Sequence, residues 1–463
     1  MKQRHATPLL FENLFAQPLK LTFDEPHTSS DGGAVLVEAI NQKMDLTSAF
    51  TEAINDSRQP GKVKHTIEEL VRQRIFALAC GYPDGNDAAR LADDPVMKLL
   101  AGIDARDEES KLASQATLSR FENAITPEML FQIGTNLAER VIEYQRHRRQ
   151  GRRKPKRITI DIDPTDDPTY GQQTFTFFNS YYDNWCYLPL TVYISFDDEP
   201  QQYLVGVILR PGNAPATMWT PWVLRRLVAT LRAAWEKTAI RVRLDGGFAT
   251  PEIFDLLELL EVEYLINMAK NSRLEQLAQP LMAQARQLHQ ELGGTQQVFG
   301  ECLYAAHSWQ GQERRVIIKA EVVAAPGCPP RDNPRFVVTN MSYTPKNVYK
   351  CYRQRGDVEN RIKELLDGLE IDRTSCTSFF ANTFRVLLTT AAYMLIQALR
   401  DRITDPQMRC AQVWTLREKL FKIAARVKVT CRHIHIALPE TFAYADIFSR
   451  LARALGAIAL GVT

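Results

Sequence analysis

Three carboxylates stand where chemistry could use them along the 463-residue chain. They are Asp163 at the end of the alternating run RITIDID, Asp245 at the end of AIRVRL, and Glu359 within YRQRGDVENRIKELL. Carboxylates brought together from such distant segments repel one another unless cations lie between them, and hard oxygen donors suit Mg²⁺ or Mn²⁺. Two such ions, about 3.5–4 Å apart, stabilise both the attacking and the leaving oxygen of an in-line phosphoryl displacement. Each acid also has a plainer reading. Asp161, Asp163, Asp166 and Asp167 suit an exposed strand edge entering a polar turn, Asp245-Gly246-Gly247 suits a tight turn, and Glu359 a surface ion pair.

The neighbourhood of Glu359 weighs against that reading. At 100° per residue, Tyr352, Arg355, Glu359 and Lys363 fall on one narrow polar helix face. A polyanionic substrate would account for it, and charge along the chain points the same way. The net charge is only +3, but Arg146–Arg157 (RHRRQGRRKPKR) carries +8 and Arg409–His435 carries +6, leaving the remainder at −11. Such segregation favours a polyanion through counterion release. Arg148, Arg149, Arg152, Arg153 and Lys154 are therefore candidate phosphate contacts. So are Arg426, Lys428 and Arg432, which share one face with Thr430 if the strand runs through them. A solvated linker and an ordinary charged face are the alternatives. His433 and His435 have a metal-ligand spacing but no third ligand nearby.

Elements that would position these residues can be read from periodicity. The first 145 residues are mainly helical by apolar spacing, KHTIEELVRQRIFALACGY being the clearest segment. The period then changes to two: RITIDID places Ile158, Ile160 and Ile162 on one face and Thr159, Asp161 and Asp163 on the other. CYLPLTVYISF and QQYLVGVILR read as further strands, followed by a helix over 219–237, the strand AIRVRL, a helix opened by Thr250-Pro251, and the strand EYLINMA. This is an α/β core. From about 271 to 340 the pattern turns β-rich, and a helix over 346–369 and an apolar one ending near Leu399 complete the core.

Composition bounds the class. With 45% hydrophobic and 24% charged residues the chain matches a soluble globular protein. The run Val386–Leu399 falls short of the ~20 residues that span a bilayer and reads as a buried helix. The start shows no secretory pattern. Eight cysteines, with no C-x-x-C, suit reduced thiols in a cytoplasmic protein.

Tyr352-x2-Arg355-x3-Glu359 resembles the Tyr-Arg-Glu-Lys motif of DDE-type transposases encoded by bacterial insertion sequences, the group with a β-strand insertion in a ribonuclease-H-like core. IDIDPTDDPTYGQQ and VRLDGGFATPEIF resemble that group's motifs around its first and second catalytic Asp, and the similarity covers about residues 157–400. Leu366 stands where the motif has Lys; Lys363 lies on the same face.

The resemblance implies a mixed-sheet α/β fold. A helical, DNA-end-binding segment (1–150) would precede the core (151–270 and 341–405), which is interrupted by the β-rich insertion (271–340) and followed by a basic segment (406–463). It implies Asp163, Asp245 and Glu359 as catalytic and metal-binding residues for two Mg²⁺ ions, with Mn²⁺ able to substitute. Asp163 is preferred over Asp161 because the Asp-x-Thr pattern falls on Asp163-Pro164-Thr165. Tyr352, Arg355 and Lys363 would contact DNA, and Trp309 in the insertion is a candidate for stacking on an unpaired base. Implied partners are double-stranded DNA, both terminal inverted repeats and target, and a second copy in a homodimeric synaptic complex, at a cytoplasmic, nucleoid-associated location. The competing functions are a metal-dependent nuclease without strand transfer and a catalytically inert DNA-binding relative.

Overall fold

The computed structural model describes residues 7–107, 109–151 and 153–459. The chain forms two compact units, one built from the residues up to Lys43, Asp56–Phe121 and the chain from Ala398 onward, the other from Met44–Asn55 and Glu122–Gln397.

The second unit is a mixed α/β structure. The strands of its main sheet are β1 (Arg157–Pro164), β2 (Leu190–Phe196), β3 (Tyr203–Ile208), β4 (Ala239–Leu244), β5 (Glu263–Met268), β6 (Gln296–Tyr304), β7 (Arg314–Val323), β8 (Arg331–Asp332) and β9 (Arg335–Thr339). They form one sheet in the order β6-β7-β9-β5-β4-β1-β2-β3, with β8 paired to β7. β1, β2 and β3 are antiparallel neighbours, whereas β4 runs parallel to β1 and β5 parallel to β4. The half-sheet β3-β2-β1-β4-β5 is compatible with a ribonuclease-H-like core, and β9 adds antiparallel to its β5 edge. Alternation fixes the register: Ile158, Ile160 and Ile162 are fully buried, and a one-residue slip would exchange them for Asp161 and Asp163.

The longer helices of this unit are α1 (Pro127–Arg148), α2 (Thr220–Ala234), α3 (Pro251–Leu259), α4 (Ser272–Leu292), α5 (Pro345–Arg353), α6 (Asp357–Leu369) and α7 (Phe379–Arg400). Apolar α7 is long enough to cross a bilayer, but 83% of its most apolar window is buried inside the protein, as expected of a core helix. Two sequence expectations change here. Ser272–Leu292, expected to open a β-rich stretch, is helical because Leu274, Ala278, Met282 and Ala285 recur at helical spacing and are the residues it buries. The helix over 346–369 is interrupted by a 3₁₀ turn at Gln354–Gly356, which separates α5 from α6.

The first unit joins the two ends of the chain. Thr28–Ser29 pairs with Ala425–Val429, which pairs in turn with Ile434–Ala437. Lys422 Nζ lies 2.7 Å from Oδ1 of the fully buried Asp31, whose Oδ2 accepts from the Tyr82 hydroxyl at 2.8 Å. Helix Ile67–Ala79 begins with a capping box in which Thr66 and Glu69 satisfy each other's backbone N–H groups. The expected strand through Arg432 stops at Val429, because Thr430 and His433 close a turn with a backbone hydrogen bond of 2.9 Å. Arg432 therefore lies in the turn rather than on the strand face.

The closest approach in this unit is at Gly33, where a Cβ would collide with the Leu420 carbonyl and sit 2.9 Å from Phe421 Cα. Backbone cannot rotate out of the way as a side chain can. Gly33→Ala is accordingly expected to cost about 1–3 kcal/mol in urea unfolding of the full chain. Gly61→Ala, with nothing within 4 Å of the added Cβ, should stay within about 0.5 kcal/mol of the unmodified protein.

Candidate active site

β1 and β4 lie side by side in parallel, with Asp161 opposite Arg243. Two residues further along each, on the same side of the sheet, come Asp163 and Asp245. Asp245 caps the 3₁₀ turn Gly246–Phe248, its Oδ1 accepting from the Gly247 N–H at 2.8 Å. Gly247 fits closely there, since a Cβ would lie 3.0 Å from the Ala216 Cβ and 3.2 Å from the Asp245 Oδ1 and would require a shift of a few tenths of an ångström.

Arg355, in the turn between α5 and α6, reaches both aspartates. Its Nη2 is 2.7 Å from Asp163 Oδ2 and 3.7 Å from Asp245 Oδ2. Glu359 follows one helical turn later on α6; it is exposed, and its charge acts on Asp163. Burial is the largest influence on Asp163. Arg355 opposes it, while Asp245, Glu359 and Asp161 reinforce it, and the carboxyl is pushed from 3.8 up to about 7. Tyr352 is half-buried against Leu265, Ile317, Val337, Met341 and Val348, and burial pushes its hydroxyl up to about 12, with Asp245 and Asp163 contributing. Lys363 is exposed on α6 and Leu366 half-buried.

Asp161 is placed differently from Asp163. It is 1% exposed and held by both Arg243 Nε (2.7 Å to Oδ1) and Nη2 (2.6 Å to Oδ2). This pair was not foreseen. The signal was present in AIRVRL, where Arg241 and Arg243 alternate with buried Ile240, Val242 and Leu244; on a strand covered on both faces, a cation needs an anion on the neighbouring strand. Arg241 has one too, Glu263 on β5, at 2.6 Å. Tyr182 was also missed; it lies within electrostatic reach of Asp163 and Asp245, and burial raises its hydroxyl well above the ordinary value.

Among the described residues no three His, Cys, Asp or Glu side chains are drawn together closely enough to hold an ion in common. The guanidinium of Arg355 is the cation that Asp163 and Asp245 share, and Glu359 forms no ion pair among the described residues. The donor chemistry nevertheless fits a hard divalent ion. Asp163 feels three further carboxylates against one directly paired guanidinium, and all the oxygens belong to carboxylates.

The basic stretches divide by environment. Arg148 donates to the Tyr203 hydroxyl at 2.9 Å, and Arg149 makes two bonds of 2.7 and 2.6 Å to Glu199 while stacking on Phe196. Both therefore act as internal pins. Arg153 and Lys154 are exposed, and Arg152 lies outside the described residues. Arg426, Lys428 and Arg432 are exposed, Arg426 being 3.4 Å from Glu25. Trp309 is not available for stacking on a base: it is 3% exposed, packed edge-on against Phe254 and Tyr304 and covered by Arg314. An apolar cavity of about 510 Å³, lined by residues of α1, α2, β3 and α7 among others, includes none of the three candidate carboxylates.

Among curated proteins no match is found. The model of the family described as Transposase DDE domain group 1 matches residues 11–459, nearly the whole length, and the chain belongs to that family of DDE-type transposases.

Proposed function

We propose that this transposase binds the ends of its own mobile element, cuts DNA there, and joins the freed 3′ ends to a target. The observation that carries the proposal is the convergence of Asp163 and Asp245, from two parallel neighbouring strands, on Arg355, one turn before Glu359. The core containing them is read as ribonuclease-H-like. Asp163, Asp245 and Glu359 would hold divalent ions, Mg²⁺ or Mn²⁺, which when bound neutralise charge on the reacting phosphoryl group.

This chain's own residues provide position and countercharge. Arg355 and Tyr352 face the DNA phosphate near the cleaved end, and Lys363 lies further along the helix that carries Glu359. In the first step a water oxygen attacks phosphorus and the bond to the 3′ oxygen breaks, leaving a 3′-hydroxyl. In the second, that hydroxyl attacks a target phosphodiester, forming a new bond to phosphorus and releasing the target's own 3′-hydroxyl. Holding both DNA segments in one site makes the second step effectively unimolecular. Arg153, Lys154, Arg426, Lys428 and Arg432 supply exposed positive charge for the duplex outside the site, and a pair of ends is held by two copies of the chain.

Asp245→Asn is expected to reduce Mg²⁺-dependent cleavage of end-bearing DNA by at least about 10²–10³-fold, the order lost when a main electrostatic stabiliser is removed, while binding of the same DNA persists. Cleavage at the unmodified rate would overturn the site. Supplying pre-cut ends with a plasmid target then separates strand transfer from simple hydrolysis, since a nuclease yields no joined product.

A second expectation concerns pH and the metal-free protein. Asp163 is held at about 7 in the fold against 3.8 as an ordinary carboxyl, so the folded state favours its protonated form. Its charge therefore costs stability, in full above pH about 7, fading as pH falls toward 3.8 and absent below that. Asp163→Asn is expected to raise Tm by about 2–4 °C at pH 8 and to leave it unchanged near pH 4, as measured by calorimetry in chelator. A gain that grew on acidification would contradict this.

A further inference from the structure

Beneath the site lies a second charged pair. Arg243 and Asp161 face each other across β4 and β1, two residues before Asp245 and Asp163, and are 4% and 1% exposed. The pair is bidentate, but it uses only the Nε and one terminal nitrogen of the guanidinium. The other terminal nitrogen, Nη1, donates to the Cys351 carbonyl at 3.0 Å and to Gln354 Oε1 at 3.4 Å. Cys351 belongs to the last turn of α5, and Gln354 opens the 3₁₀ turn that carries Arg355 and leads to Glu359.

One buried guanidinium thus contacts three segments: the strand of Asp163, its own strand ahead of Asp245, and the backbone that leads into the helix of Glu359. Ends of helices expose unpaired carbonyls that welcome a cation, and the break after α5 leaves the Cys351 carbonyl for Arg243. A buried ion pair is weak evidence for stability, because apolar residues of similar volume often hold a fold equally well. A planar fork with donors in two directions does what an apolar pair cannot, because it fixes the distance between a sheet and a helix end.

We propose that Arg243, held by Asp161, is a positioning residue that sets Glu359 in register with Asp163 and Asp245. The inference rests on the transposase reading of those three carboxylates. Arg243 touches neither the DNA nor any of the three, and acts through the Cys351 carbonyl and Gln354.

The test uses the full chain with end-bearing DNA and Mg²⁺, measuring DNA affinity, single-turnover cleavage and Tm on each variant. Asp161→Leu with Arg243→Met removes the pair without leaving a buried unpaired charge. The expected result is a loss of about 100-fold in the cleavage rate, the order associated with a misplacement of roughly 1 Å, with DNA affinity within about twofold and Tm held. Arg243→Lys keeps a cation for Asp161 but cannot reach both ways, and is expected to lose about 10-fold or more in rate with Tm little changed. It decides the matter if the double variant does not fold. Cleavage within threefold of the unmodified protein in the folded variants overturns the positioning role, as does a fall in rate matched by an equal fall in DNA affinity. Asp245→Asn run alongside keeps the two claims apart: if it cleaves normally the site assignment fails, whereas if it is inactive and the Arg243 variants are fully active only the present inference fails.

Discussion

The constraint on which the rest of this structure depends is the repulsion among carboxylates gathered beside a dry sheet. Asp161 and Asp163 leave one strand on the same side, Asp245 follows from the next, and Glu359 adds its charge from a helix. Water cannot screen Asp161 at 1% exposure. Each negative group has to be answered by a cation placed by the fold, or else give up its charge. Two arginines answer, at different depths. Arg243 holds Asp161 through two of its nitrogens and gives the third to the Cys351 carbonyl and Gln354, so that level is structural. Arg355 binds Asp163 closely and Asp245 at longer range, and its buried Nε has no hydrogen-bond partner among the described residues, so the upper level keeps unspent electrostatic capacity. That difference in completeness separates foundation from site.

Much of this was legible in the sequence because period-two alternation ties side-chain direction to position. RITIDID told that Ile158, Ile160 and Ile162 share one face and Asp161 and Asp163 the other; the fold buries both faces. Alternation could not separate the two aspartates, because it assigns a face and not a depth. The distinction came from the neighbouring strand, whose Arg243 falls opposite Asp161 only once the parallel register is known. The helical wheel drawn through Tyr352, Arg355, Glu359 and Lys363 assumed an unbroken helix. The turn at Gln354–Gly356 breaks it, and Arg355 is presented to the aspartates from that turn. Sequence spacing records that residues are neighbours on a helix; it does not record where tertiary contacts interrupt the helix.

The ends of the chain were the least readable part. Helical periodicity identified Ile67–Ala79 with its cap, but nothing in the local pattern said that Thr28–Ser29 would pair with a strand some four hundred residues later, or that Gly33 would be needed to let the two backbones meet. Long-range antiparallel pairing of two- to five-residue strands leaves almost no periodic trace. Its mark is a glycine pair and a buried charge, Asp31 with Lys422, neither of which stands out before the partner is seen.

The basic stretches carry a more general lesson about charge. A run of +8 in twelve residues looks like one surface, yet its members do unlike work: Arg148 and Arg149 end α1 and are locked onto Tyr203, Phe196 and Glu199, while Arg153 and Lys154 stand in solvent. Counterion release depends on cations that meet phosphate, so the count relevant to DNA is smaller than the count in the sequence. An arginine stacked on a ring and doubly bonded to a carboxylate has already exchanged water for protein, and moving it to a phosphate would forfeit those contacts. The exposed pair has made no such exchange. The same run therefore anchors its first arginines to the sheet, and that anchoring fixes where the later, exposed charge is presented.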